Sequence, residues 1–225
     1  MAGFEAVLFD LDGTLCERTQ DTELMYAAAF KQVGVEPFGD PKSLWASLEG
    51  PPDHDDWIGY IGAGFARLAA QHGRTEVDPL ALAAAVQSLV DDAAVALRPG
   101  ARIALDHAAS VGPVGLVTNG PAASQRTKLD SLGITDRFST MVFGADLPRK
   151  KPHARPFNQA VTRIGVPPSR ALYVGNSLEY DVSGAQMAGL SVAWLCDDGD
   201  DPGPYSPEYI LEELGELPAV IKGDR

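Results

Sequence analysis

The sequence predicts an α/β fold: a doubly wound parallel sheet with an all-helical domain inserted after the first strand. Two observations predict it. Short apolar, β-branched runs alternate with helical stretches along most of the chain, the pattern of a parallel sheet wrapped by helices. One long interval, Glu17 to Leu97, breaks that rhythm, holding no convincing strand and reading as several helices. The sheet domain is thus expected at residues 1–16 and 98–225, and the helical domain at residues 17–97.

The elements follow in order. Ala6–Phe9 is wholly apolar and runs into Asp10, the mark of a buried strand. Thr22–Val33, Asp56–Gln71 and Pro79–Ala96 carry the helical signal of the insert, with turn-rich stretches at Val35–Pro41 and Glu49–His54 between them. Arg98-Pro99-Gly100 marks the return to the sheet. Val114–Val117, Met141–Phe143, Ala171–Val174 and Ser191–Leu195 are the further strands. Ala122–Leu132, Arg155–Ile164 and Glu179–Ala188 read as helices, and Gly133, Gly165 and Gly189 stand just past them as stops. Cys196 to Pro207 is an acidic loop rich in Gly and Pro.

Composition narrows the class. With 225 residues and 45% hydrophobic content the chain can bury a real core. Its longest apolar run, around Leu80 to Val90, is broken by Gln87 and Ser88 and is too short to span a bilayer. No basic region, apolar stretch and small-residue cleavage site open the sequence, so a cytoplasmic location with no membrane partner is expected. Cys16 and Cys196 make no disulfide framework and no zinc pattern.

Asp and Glu number 31 against 18 Lys and Arg, a net charge of −13, which argues against nucleic acid as a partner. Two readings of that charge stay open: ordinary solubility, and adaptation to a high-salt cytoplasm. The second predicts that the thermal midpoint climbs with KCl, because carboxylate repulsion reaches about 30 Å at 0.01 M salt and about 3 Å at 1 M. A midpoint that stays put over that range removes the high-salt reading.

Four strand ends carry the chemistry. The first, Asp10-Leu11-Asp12-Gly13-Thr14, puts two carboxylates on one side of an extended chain, where they repel unless a proton or a cation intervenes. The second, Thr118-Asn119-Gly120-Pro121, sets a hydroxyl before a helix N-terminus, a natural anion site; capping by Asn119 is the plainer alternative. The third is Arg149-Lys150-Lys151-Pro152, where Pro152 biases Lys151 toward extended backbone and can aim its ammonium inward; a solvated basic run competes. The fourth, Gly175-Asn176-Ser177 with Asp181 beyond it, supplies further oxygens, or simply an acid at a helix start. Together they make a set of oxygens suited to Mg²⁺ beside groups suited to phosphate, the requirements of phosphoryl transfer through an aspartyl-phosphate.

In order and spacing, Asp10-Leu11-Asp12-Gly13-Thr14, Thr118-Asn119, Lys151-Pro152 and Gly175-Asn176-Ser177 with Asp181 resemble the four motifs of the haloacid dehalogenase-like (HAD) hydrolases. The resemblance runs from Ala6 to about Leu217 and includes Pro207-Glu208-Tyr209-Ile210. It implies a Rossmann-like core, a helical cap of the phosphatase branch, a small phosphorylated substrate and Mg²⁺ as cofactor. Asp10 would attack phosphorus, and Asp12 would protonate the leaving oxygen and then activate water. Thr118, Asn119 and Lys151 would bind phosphate. Asp10, the Asp12 carbonyl, Asn176 and Asp181 would form or support the metal shell.

The substrate is expected near Glu17 and Arg18. Asp12 argues against the dehalogenase branch, which lacks that second acid. Phosphonate hydrolysis would need a cap lysine, and only Lys31 and Lys42 lie in the insert. Asn176, where aspartate is usual, raises the rival of a non-catalytic phosphate-binding or regulatory protein.

Overall fold

The computed structural model describes residues 3–48 and 56–223, so the turn signal at Glu49–His54 lies outside the described residues. Two compact units emerge, Met1–Arg18 with Ala93–Arg225, and Thr19–Asp92. In chain order the elements are β1 (Ala6–Phe9), β2 (Cys16–Arg18), α1 (Thr22–Val33), α2 (Pro41–Ala46), α3 (Trp57–Gln71), α4 (Pro79–Leu89), β3 (Val95–Leu97), α5 (Ala101–Val111) and β4 (Val114–Thr118). There follow α6 (Ala122–Leu132), β5 (Thr140–Phe143), α7 (Arg155–Ile164), β6 (Ala171–Gly175), α8 (Gly184–Met187), β7 (Ser191–Leu195), β8 (Tyr209–Leu211) and α9 (Leu217–Lys222).

The first unit is built on a six-stranded sheet in the order β5-β4-β1-β6-β7-β8, parallel throughout. Side chains alternate along β1, and both of its faces are covered. Val7 and Phe9 pack with Ala104, Leu105 and Ala108 of α5 and Leu129 of α6, whereas Ala6 and Leu8 pack with Phe157 and Ala160 of α7 and Ala185 of α8. All four β1 residues are fully buried, which is why this strand reads as an uninterrupted apolar run. In register, Phe9 lies beside Leu116 of β4 and Val174 of β6. The three strands therefore end nearly level, and the chain winds away to opposite sides from β1. Ligands of open α/β sheets bind at that switch point.

Two expectations for the stretch from Glu17 to Leu97 are corrected. The expected helix Pro79–Ala96 ends at Leu89, where Val90 turns extended with ψ 123°. Beyond it β3 pairs antiparallel with β2, Cys16 opposite Leu97, so the interval is not free of strands. Each strand has three residues, too few for a readable period, and each forms only because a distant partner exists.

A third correction concerns the expected helix Glu179–Ala188. A wide π turn occupies Leu178–Ser183 before α8 begins. There the Asp181 carboxylate accepts from the Ser177 N–H, and the Ser177 hydroxyl accepts from the Tyr180 N–H.

The second unit has its own core of Tyr26, Phe30, Phe38, Leu44, Ile61, Phe65, Leu68 and Leu82. Each of α1 to α4 starts on an aspartate, Asp21, Asp40, Asp56 or Asp78, whose carboxylate accepts from N–H groups of the first turn. Such caps are worth about 0.5–2 kcal/mol each. Part of the acidic excess is therefore structural.

Candidate active site

Asp10 directly follows β1, Thr118 is the last residue of β4, Lys151 lies between β5 and α7, and Asn176 directly follows β6. Four separate segments thus deliver their polar residues to the level strand ends.

Lys151 is the hub. Its ammonium is buried and lies 2.7 Å from Asp10 Oδ1, 2.6 Å from Asp181 Oδ1, 3.0 Å from the Tyr173 hydroxyl and 3.1 Å from the Val117 carbonyl. Burial alone would discharge the ammonium, but the charges of Asp10 and Asp181 outweigh it and hold Lys151 above its ordinary value. One ammonium between two buried carboxylates leaves an unbalanced negative charge. Burial, opposed by Lys151 and reinforced by Asp181, accordingly pushes the Asp10 carboxyl up to about 7.

Around that hub the remaining oxygens converge. The Thr14 hydroxyl lies 3.3 Å from Asp10 Oδ2 and 3.1 Å from Asn176 Oδ1. It has a single proton, so it can satisfy only one of these acceptors at a time. Gly13 permits the approach. Its φ is +79°, and a Cβ there would stand 2.6 Å from Asn176 Nδ2. Thr118 is buried, with its hydroxyl 3.3 Å from the Gly120 N–H and 3.4 Å from Gln125 Oε1.

This assembly of acids, lysine and hydroxyl at a sheet switch point accompanies a sequence match over most of the chain: the model of haloacid dehalogenase-like hydrolases aligns with residues 4–189. The chain belongs to that family.

Similar proteins agree with the assignment. A phosphoglycolate phosphatase of Cereibacter sphaeroides is 32% identical, covering 96% of this chain and 97% of its own. The pyrimidine 5'-nucleotidase YjjG of Escherichia coli is 30% identical over 96% of both chains. In fold alone, the magnesium-bound structure of YfnB from Bacillus subtilis superposes with a TM-score of 0.74 at 24% identity, covering 98% of this chain and all of that one. The present chain is thus a HAD-family hydrolase of the phosphatase kind. Among the described residues, no helix is long and apolar enough to cross a membrane.

Several HAD motif residues sit differently from the sequence expectation. Asp12 is half-exposed and turns toward α6, where Lys128 Nζ lies 2.7 and 2.9 Å from its two carboxylate oxygens and Gln125 Nε2 donates at 3.0 Å. The alternation that would set Asp10 and Asp12 side by side ends with β1 at Phe9. Asn119 uses both ends of its amide on Lys151, donating to the carbonyl at 3.0 Å and accepting from the N–H at 2.8 Å. Asp181 is fully engaged through Lys151, Tyr173 and the Ser177 N–H. Glu17, Arg18 and Glu179 are exposed.

Sequence reasoning missed Gln125, Lys128 and Tyr173. A signal existed for the first two. Gln125, Lys128, Leu129 and Leu132 form the buried stripe of α6, so two polar residues occupy positions where helical spacing calls for apolar ones. Tyr173 gave less warning, since an aromatic residue inside a strand is ordinary.

Proposed function

We propose that the chain hydrolyses a small phosphate monoester in a Mg²⁺-dependent reaction through an aspartyl-phosphate on Asp10. The observation that carries this reading is the buried Asp10–Lys151–Asp181 cluster, whose excess negative charge sits beside oxygens of Asp10 and Asn176 that share the Thr14 proton. Among the described residues no three His, Cys, Asp or Glu side chains group as a metal site. That fits a cation taking few protein ligands and completing its shell with water and phosphate. Asp10, the Asp12 carbonyl and Asn176 would hold Mg²⁺, which when bound supplies the missing positive charge and polarises the phosphoryl oxygens.

In the first half-reaction an Asp10 carboxylate oxygen bonds to phosphorus. The ester oxygen leaves with the electron pair of the broken bond and takes a proton from Asp12. In the second, Asp12 removes a proton from water, the water oxygen bonds to phosphorus, and the bond to Asp10 breaks. Inorganic phosphate departs and Asp10 is regenerated. Lys151 and Thr118 stabilise the transferring group. Asn119 fixes the Lys151 backbone, a positioning role that replaces the expected phosphate contact of its side chain. Asp181 holds Lys151 and Ser177 in place of offering an oxygen to the cation. The helical unit is assigned the part of a substrate-selecting cap. Its relatives' named substrates, phosphoglycolate and pyrimidine nucleotides, make small organic phosphates the first panel to assay.

Asn176 favours a second reading, a phosphate-binding protein without turnover, because an amide in the metal shell lacks the charge of a carboxylate. The two readings separate on p-nitrophenyl phosphate at saturating Mg²⁺. We expect turnover by the wild type and an Asn176→Asp variant that binds Mg²⁺ roughly tenfold tighter, the lower end of effects of residues around a metal, with the saturated rate nearly unchanged. No turnover by the wild type, together with turnover by Asn176→Asp, decides for the non-catalytic protein. Unaltered Mg²⁺ affinity in that variant removes Asn176 from the metal.

A further inference from the structure

Lys128, the single lysine of α6, is buried on the core side of that helix. Its ammonium meets both oxygens of Asp12, while its neighbours on the same stripe are Gln125 on one side and Leu129 and Leu132 on the other. A buried ammonium is costly, and a leucine there would pack more cheaply. Gln125 is as buried, and its amide is oriented at both ends: Nε2 donates to Asp12 Oδ2, and Oε1 accepts from the Thr118 hydroxyl. Gly120 makes room for it, since a Cβ at that position would stand 2.1 Å from Gln125 Nε2. Three donor contacts therefore converge on one carboxylate, and one of them ties it to the hydroxyl at the end of β4.

We propose that Lys128 and Gln125 are positioning residues that fix the Asp12 carboxylate for proton transfer, making the buried face of α6 part of the catalytic apparatus. The inference rests on the reading of Asp12 as the proton-transferring group. A carboxylate beyond the end of a strand, half-exposed and just before the turn at Gly13, has several rotamers open to it. Two anchors on one helix face select a single one. Because Gln125 also holds Thr118, that rotamer is set relative to the group that would bind phosphate. Neither Lys128 nor Gln125 is assigned a bond to the substrate; loss of Lys128 should act on rate and leave phosphate binding alone, whereas loss of Gln125 also releases the Thr118 hydroxyl.

The test is a double-mutant cycle on the full-length enzyme with p-nitrophenyl phosphate and Mg²⁺. Lys128→Met keeps the stem and removes the charge. It should lower kcat by about 10–100-fold, the order expected for a misplaced catalytic group, with KM changed less than about twofold. In an Asp12→Asn background the same substitution should have almost no further effect on kcat, since its target is gone. Gln125→Met should lower kcat less, with a loss that shrinks in the Asp12→Asn background, and it serves as the readout if Lys128→Met fails to fold. Lys128→Arg, which can still donate to both carboxylate oxygens, should recover most of the rate.

Unchanged kcat in both single variants overturns the proposal, as does an equal loss with and without Asp12, which would place their action elsewhere in the fold. Full activity of Asp12→Asn would instead overturn the role of Asp12 itself. The two failures are therefore distinguishable.

Discussion

Asp10→Asn should release no phosphate from any monoester while leaving the fold intact, and in metal-free buffer it should melt higher than the wild type at neutral pH. The first effect follows from chemistry, because an amide of the same shape cannot form the acyl phosphate. Measurable turnover by the variant would rule out an aspartyl-phosphate on Asp10. The second follows from the buried charge. Burial pushes the Asp10 carboxyl up to about 7 from 3.8, so between those values the folded state holds a proton that the unfolded state has released. Stability contributed by that proton is present at low pH and is lost as pH rises toward 7. Asparagine mimics the protonated form at every pH. The gain in midpoint should therefore be near zero around pH 4, grow up to about pH 7 and level off above it. A gain that shrinks with rising pH would show that Lys151 dominates the charge state of Asp10.

Lys151→Ala is the substitution expected to do most harm to both stability and activity. The lysine offsets part of the charge of two buried carboxylates, Asp10 and Asp181, at 2.7 and 2.6 Å. Removing one partner of a buried pair typically costs about 3–5 kcal/mol, because the other charge stays behind without compensation. Denaturant melts should place the loss in that range at pH 8, with a smaller loss at pH 5 where Asp10 can take a proton. Adding Asp10→Asn should restore part of the stability and none of the activity. Lys150→Ala, one residue away, should stay within about 0.5 kcal/mol of wild type and keep its rate. A reversal of the two lysines' effects would mean that the inward ammonium has been assigned to the wrong residue.

The fold was legible where a strand is buried on both faces. Ala6–Phe9 is apolar throughout and Ser191–Leu195 is apolar after its first residue, and both were read with their true ends, as were α6 and α7 with their terminal glycines. The misreadings fall where structure depends on distant partners. β2 and β3 hold three residues each and exist through one another. β8 is held along its length by β7.

The site was legible in its residue types and less so in their partners. Asp10 and Thr118 stand at strand ends that sequence can locate, Asp12 and Lys151 lie in the loops beyond such ends, and the fold brings Asp10 and Lys151 together. That Asp12 would leave Asp10 for Lys128, or that Asn119 would clasp the Lys151 backbone, depends on side-chain directions after the strand has ended. No periodicity extends there.

The central place of β1 also governs the order in which the protein can be made. During synthesis Ala6–Phe9 emerges long before either neighbour, since its partners begin at Val114 and Ala171. At about 5–20 residues per second, the strand waits on the order of ten seconds for its first edge and longer for its second. The helical unit, with mostly local contacts and a core of its own, can fold on the ribosome meanwhile. An unpaired apolar strand is an aggregation hazard throughout such a wait. The two carboxylates that immediately follow it are the kind of flanking charge that protects such segments.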